Sequence, residues 1–259
     1  MVVGVPIRVG IAGGLGEMGA VVAQLVVDSQ GVTLGGSFDR DDAAGLGRTL
    51  AGCDVIIDFS TAAASCELAM RAAAAGGPAL VIGSTGFSSE QENTLGRAAL
   101  SLAMVKSGNF SLGANILAGI VEETARRLGR ADWDIEIFEA HHRRKRDAPS
   151  GTALMLGEAA ARGRGARLAD LRGPPREGAD PPRRQGDIGF SSLRGGGIVG
   201  EHAVVFASDD EILTLSHSAR NRRLFARGAL EAALWIVGRP TGLYTMADVL
   251  GFRDAPTEN

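Results

Sequence analysis

Residues 7–27 read IRVGIAGGLGEMGAVVAQLVV. Ile7 to Ala12 is a β-favouring run, Gly13 to Gly19 a glycine turn, and Ala20 to Val27 a buried helix. Strand, glycine turn and helix in that order form the context a dinucleotide fingerprint requires. One glycine permits the tight turn, one lets backbone approach a pyrophosphate, and one lets helix pack on strand. The pyrophosphate would sit on the N–H groups that open the helix. The spacing Gly13-Gly14-Leu15-Gly16-Glu17-Met18-Gly19 is GxxGxxG instead of GxGxxG, and a glycine-rich chain can meet it by chance. Val32 to Phe38 reads as a second strand, ending at Asp39 and Arg40. An acidic residue about 20 positions past the glycines is where a ribose hydroxyl ligand is expected. A solvated turn is the other reading of Asp39.

The alternation continues. Asp54 to Phe59 reads as a strand and Thr61 to Ala75 as an alanine-rich helix with Thr61 near its N-cap. Ala79 to Ile82 is a strand ending in Gly83-Ser84-Thr85-Gly86-Phe87, and Ser89 to Ala98 suits a helix. Leu102 to Lys106 is a strand ending in Ser107-Gly108-Asn109-Phe110. Repeated strand-then-helix units argue a parallel sheet with helices on both faces, so the fold class is α/β. Ligands in such sheets bind at the carboxyl ends of strands, where the 83–86 and 107–109 clusters fall. Ordinary loop chemistry also accounts for those clusters.

Bulk properties narrow the class. The chain has 259 residues, room for one large domain or two modest ones. Its 37 glycines are about twice average usage and point to tight turns or close approach of backbone to ligand. A net charge of −3 supplies no global basic field for nucleic acid, and 5% aromatics are too few for a base-stacking surface. Cys53 and Cys66 form no CxxC pair and read as small buried hydrophobes, which suits a reducing cytoplasm. The N-terminus lacks the charged and long apolar regions of a signal peptide. No apolar run approaches the ~20 residues needed to span a membrane.

The chemistry concentrates at Glu139 to Ala153, EAHHRRKRDAPSGTA. Ser111 to Leu128 reads as a long helix. Trp133 to Phe138 alternates apolar and polar and reads as a half-buried strand feeding this stretch. Pro149 and Ser150 then signal a helix start over Ser150 to Ala161. His141 is the natural general acid or base near neutral pH, and Lys145 adds a cation and proton donor. The N–H groups of Gly151 and Thr152 at a helix N-terminus suit a carboxylate. The stretch reads as a small-anion site with a proton donor, or as a solvated basic loop carrying Arg143, Arg144 and Arg146. The His141-His142 pair has no further His or Cys nearby, so no metal is expected. Residues 164–184, rich in Gly, Pro and Arg, read as an exposed, mobile loop. Ile188 to Leu193, Ile198 to Ala207 and Glu211 to His217 read as strands of an antiparallel sheet. His202 and His217 read as structural or surface residues, and Arg222 to Val237 as an amphipathic helix.

The stretch E-x-H-H-x-x-K-x-D-x-P-S-G-T at 139–152 resembles the dihydrodipicolinate reductase family of lysine synthesis. So do DFST at 58–61, GSTGF at 83–87, GNFS at 108–111, IVGEH at 198–202 and the GLYTMADVL ending. The resemblance covers nearly the whole chain. It implies NAD(P)H-dependent reduction of 4-hydroxy-tetrahydrodipicolinate to tetrahydrodipicolinate in diaminopimelate and lysine biosynthesis. It implies that His141 transfers a proton and Lys145 is a second donor, with His142, Ser150, Gly151 and Thr152 binding substrate. Cofactor contacts fall on the turn (Gly13, Gly14, Leu15, Gly16, Glu17, Met18), on Asp39 with Arg40, on Gly83, Ser84 and Thr85, and on Ser107, Gly108, Asn109 and Phe110. The implied fold is a Rossmann-like parallel-sheet domain, 1–112 and 222–259. An α+β domain with a mixed sheet, 113–221, binds substrate and builds a homotetramer. Domain closure is expected, because the two sites lie on different domains.

One departure matters. The family's fingerprint usually ends G-R-M-G, and that arginine typically helps hold the cofactor's extra phosphate. Here Glu17 takes its place and would repel it. Asp39 can accept from ribose hydroxyls, while Arg40 pulls the other way, so NADH is expected to serve at least as well as NADPH. Gly197, where the family often has a polar residue, has no assigned consequence. The rivals are a related reductase of another imine or amino acid, and a non-catalytic dinucleotide sensor. Either leaves the full His-Lys-PSGT set unexplained.

Overall fold

The computed structural model describes residues 5–176, 178 and 182–252. The chain divides into two compact units, Met1–Leu112 with Arg223–Asn259, and Gly113–Arg222, so that Arg222 groups with the second.

The first unit alternates strand and helix. It contains β1 (Ile7–Ala12), α1 (Glu17–Val27), β2 (Val32–Phe38), α2 (Ala43–Gly52), β3 (Val55–Asp58) and α3 (Ala62–Ala74), then β4 (Ala79–Ile82), α4 (Ser89–Ala98) and β5 (Ala103–Lys106). The chain then passes into the long helix α5 (Leu112–Arg127). The helix start at Glu17 is three residues earlier than the apolar run suggests, because Gly16 already serves as the N-cap. Side chains alternate across a strand, and both faces of the central strands β3, β4 and β5 are buried, whereas the edge strand β2 is largely exposed. Val55, Ile57 and Val81 enter one core; Ile56, Leu80 and Ile82 enter the other. A strand buried on both faces must be covered by helices on both, which is why the connections are crossovers and the sheet parallel. Helix starts follow from side-chain caps. Thr61 accepts from the Ala64 N–H, and Ser88 and Gln91 form a reciprocal capping box.

The second unit carries β6 (Asp134–His141), α6 (Gly151–Gly163), α7 (Leu168–Leu171), β7 (Ile188–Arg194), β8 (Glu201–Ala207) and β9 (Ile212–Ser218). Its sheet runs β7-β6-β8-β9. β7 lies parallel to β6, whereas β8 pairs antiparallel with β6 and with β9. The purely antiparallel reading of these strands is therefore corrected to a mixed sheet. β6 inserts between β7 and β8, so those two consecutive strands do not pair. Ile135, Ile137, Val204 and Phe206 face α5 and α6 and form the core.

Residues 164–184 also depart from expectation. Leu168 and Leu171 of α7 are buried. Arg164 donates to the carbonyls of Gly186 and Trp133. Arg183 donates to Asp134, Glu136 and the carbonyls of Ile135 and Asp187. These arginines satisfy the backbone and carboxylates of their own unit, which is what an interior guanidinium must do. The part of the expected loop at 177 and 179–181 lies outside the described residues.

The chain then returns to the first unit with α8 (Arg223–Ile236), β10 (Gly242–Tyr244) and α9 (Met246–Val249). They complete a six-stranded sheet of order β10-β5-β4-β3-β1-β2, in which every paired neighbour is parallel. Among the described residues, no helix is long and apolar enough to cross a membrane.

Candidate active site

Two clusters of the anticipated residues form, one in each unit. In the first unit the turn after β1 is closed by backbone. Gly13 has φ +77° and donates to the Phe38 carbonyl at 2.9 Å; Gly16 donates to the Gly13 carbonyl at 3.1 Å. A Cβ on Gly19 would stand 2.1 Å from that same carbonyl oxygen, so only glycine lets α1 approach the turn. Gly16 caps α1 with no side-chain hydrogen bond, an arrangement suited to an anion at the helix N-terminus. The Asp39 carboxylate accepts from the Leu15 N–H at 2.8 Å, tying the end of β2 to the turn.

A cleft of about 510 Å³ opens beside this turn, with Gly13, Gly16, Asp39 and Arg40 among its walls. Phe59 to Thr61, Glu67 and Arg71 also line it, and sequence reasoning had not selected Glu67 or Arg71. Gly83, Ser84 and Thr85 follow β4, and Ser107 to Phe110 follow β5, at the carboxyl ends of neighbouring strands. The Phe110 side chain is core, 1% exposed and packed edge-on to Phe59. Beneath the strand ends lies a carboxylate the sequence did not single out. Asp58, fully buried, accepts from the Ser60 N–H, from the Ser60 hydroxyl and from the Ser65 hydroxyl, and Ser65 contacts the Ser84 hydroxyl at 2.9 Å. Burial pushes the Asp58 carboxyl above its usual range, against the pull of those hydrogen bonds.

In the second unit, β6 continues through the stretch that reads as a loop. His141 is its last residue, and strand alternation puts Glu139 and His141 on the same inward face as Ile135 and Ile137. Glu139 is fully buried. Its Oε2 lies 2.6 Å from His141 Nδ1, and the Arg194 guanidinium donates to both of its oxygens, at 2.8 and 2.7 Å. The Ser150 N–H donates to Oε1 at 3.3 Å. Burial alone would raise the Glu139 carboxyl; hydrogen bonds from Arg194, Ser192 and His141 outweigh it and hold it at about 2.

Ser150 is the N-cap of α6, its hydroxyl accepting from the Ala153 N–H, and the same hydroxyl contacts His202 Nε2 at 3.0 Å. His202 in turn packs edge-on to His141, ring centroids 5.1 Å apart. These contacts bring Ser150, with Gly151 and Thr152 beginning α6, to His141. His142, half-buried just past the strand, has a buried Nδ1 with no hydrogen-bond partner. Lys145 pairs with Asp147 at 2.8 Å, while Arg143, Arg144 and Arg146 are exposed. Glu139, Arg194 and His202 are the residues sequence reasoning missed or set aside as structural. The signal for Glu139 was its place two residues before His141 on an alternating strand.

Residues 7–110 match the family described as "Dihydrodipicolinate reductase, N-terminus", and residues 113–250 match "Dihydrodipicolinate reductase, C-terminus". The chain belongs to the dihydrodipicolinate reductase family. It is 55% identical over 253 residues to the 4-hydroxy-tetrahydrodipicolinate reductase of Caulobacter vibrioides, covering 96% of this chain and 98% of that relative. The Parvibaculum lavamentivorans protein of the same name is 46% identical over 267 residues, covering 95% and 98%. Among solved structures, the dipicolinate-bound dihydrodipicolinate reductase from Paenisporosarcina sp. TG-14 superposes with a TM-score of 0.76 at 26% identity. The match covers 93% of this chain and 97% of that one.

His202 carries a pH dependence. Burial, aided by the neighbouring charge of His141, lowers its pKa from 6.5 to about 4. A depressed folded-state value means that stability is fully present above pH 6.5 and lost as pH falls through 4. The loss is on the order of 2–3 kcal/mol. Urea midpoints of the wild type should therefore drop more between pH 7 and pH 4 than those of His202→Gln. Equal drops in the two proteins would exclude a buried neutral His202.

Proposed function

We propose that this chain reduces 4-hydroxy-tetrahydrodipicolinate to tetrahydrodipicolinate with a nicotinamide cofactor, in diaminopimelate and lysine synthesis in the cytoplasm. The first unit takes the cofactor and the second the substrate. The observation that carries this reading is the end of β6: His141 stands beside the start of α6, joined to it through His202 and Ser150. The Paenisporosarcina relative binds dipicolinate, a ring with two carboxylates. A helix N-terminus at Gly151 and Thr152, the unmet His142 Nδ1 and the Lys145 cation suit one such carboxylate.

The cofactor, when bound, supplies the hydride. The cofactor fits the first unit because the α1 N-terminus has no side-chain cap and Gly13 and Gly16 line the cleft that leads to it. In the second unit, His141 gives a proton to the enamine carbon of the ring. Lys145 supports the charge and proton movement that accompany loss of the hydroxyl as water. With the condensation product of pyruvate and aspartate semialdehyde supplied, NADH absorbance should fall. His141→Gln should lower kcat by ~10²–10⁴ and leave the KM for NADH little changed. A near-wild-type kcat would remove His141 from the mechanism, and cofactor binding without any turnover would favour a sensor.

The cofactor is NADH at least as readily as NADPH. The cleft beside the turn presents Asp39, Asp41, Asp42 and Glu67 against Arg40 and Arg71, and Arg71 is already paired with Glu67 at 2.7 Å. A further phosphate would meet more negative than positive charge there, whereas ribose hydroxyls can donate to Asp39. Comparing kcat/KM for the two cofactors tests this; a strong NADPH preference sinks it.

The protein assembles as a homotetramer. The face of the second unit's sheet away from α5 and α6 exposes Phe138, Leu193 and Ile212, the last at 70%. Contiguous exposed apolar side chains mark an interaction surface, and a second copy is the occupant this family reading supplies. Light scattering should give about four times the 26.7 kDa chain mass. A monomeric mass rules the assembly out.

A further inference from the structure

We propose that Glu139 is a positioning residue that locks His141 in the Nδ1–H tautomer, with Arg194 as its counter-charge, so that Nε2 alone faces the substrate. This rests on the reading of His141 as the proton-transfer group.

The geometry leaves His141 little choice. An ionised carboxylate has no proton to give, so a nitrogen 2.6 Å away must be the donor. Glu139 is kept in that state from three sides: by both terminal nitrogens of Arg194, by the Ser150 N–H and by Nδ1 itself. Nδ1 therefore carries a proton whether the ring is neutral or charged. The lone pair of the neutral ring, and the transferable proton of the charged ring, are then both at Nε2.

Two neighbours hold the ring in that pose. The edge of His202 packs against it and is itself pinned by Ser150. A Cβ at Gly200 would stand 3.1 Å from Nε2, so the absence of a side chain there keeps that nitrogen uncovered. Turning the ring over would withdraw Nδ1 from a buried carboxylate oxygen and leave it with the Arg194 donor alone.

Glutamine at 139 reverses the pattern. Arg194 donates at both ends of the group, so the Ser150 N–H, which can only donate and faces the Oε1 position, draws the amide oxygen there and leaves the amide NH₂ facing Nδ1. Nδ1 must then accept, and the proton moves to Nε2. The same side-chain volume thus carries the opposite instruction.

The test is ¹⁵N-histidine labelling of the full-length protein with long-range ¹H–¹⁵N correlation at pH 8. The chain has only four histidines, and His141 is assigned by its loss in His141→Gln. The wild type should show His141 protonated at Nδ1 and Glu139→Gln should show it protonated at Nε2. In the reductase assay Glu139→Gln should lose between ~10- and 10³-fold in kcat, within the range of acid–base contributions, with the KM for NADH unchanged. A merely structural glutamate would move the melting temperature and leave the tautomer alone. A wild-type His141 protonated at Nε2 overturns the proposal, and so does an unaltered kcat in Glu139→Gln. Should Glu139→Gln not fold, the wild-type spectrum decides by itself. A wild type that never turns over the substrate overturns the functional reading instead, with the tautomer still read independently.

Discussion

Glu139 sits where water cannot reach it, and the second unit's site is built from the groups that keep it charged. Its partners come from four places: His141 at the end of its own strand, Arg194 at the end of β7, Ser150 at the start of α6 and Ser192 on β7. An isolated carboxylate in such surroundings would take up a proton; a bidentate guanidinium with further donors prevents it. Removing any one donor leaves the others facing a harsher bargain, because a buried charge tolerates few gaps. The mixed topology of the sheet follows the same need. β7 must run parallel to β6 for Arg194 to end level with His141, and their register pairs those two residues.

The first unit solves a different problem. Its central strands are buried on both faces, so polar groups there are confined to the strand ends. Asp58 occupies that edge without a cation. Hydroxyls from Ser60 and Ser65 stand in for one, and through Ser65 the contact reaches Ser84. A buried carboxyl surrounded by hydroxyls is a costly way to fill space, but it ties the loop after β3 to the loop after β4.

Much of this fold was legible, because its punctuation is local. Thr61, Ser88 and Ser150 announce helix starts, and each accepts the hydrogen bond its position calls for. The glycine turn announced a close approach, and Gly19 shows one. Helix α2 escaped notice: Gly45, Gly47 and Gly52 weaken its pattern, and only the Asp42 cap marks its start. The end of β6 was obscured because its apolar-polar pattern inverts at Phe138, which is exposed while Glu139 and His141 take the buried face, and by the run of basic residues that follows. His141, Lys145 and the Ser150–Thr152 turn could be chosen from residue type within one short stretch. Arg194 and His202 could not, since they reach the site through strand pairing across tens of residues, which a local reading does not see. The arginines of 164–184 show the same limit in reverse: composition suggested solvent, while Arg164 and Arg183 are tied to the backbone of their own unit.

The chain leaves the first unit at Leu112 and returns only at Arg223, bringing α8 and β10. β10 is the edge partner of β5, and α8 supplies Ala226, Ala229, Ala232, Ala233 and Ile236 to one face of the core. During synthesis from the N-terminus, the whole second unit therefore emerges before the first has the pieces to close. Until then β5 is an open edge and Val55, Ile57 and Val81 lie under an incomplete cover. The first unit is the first to be started and the last to be finished, and its completion reports that the second unit has already been made.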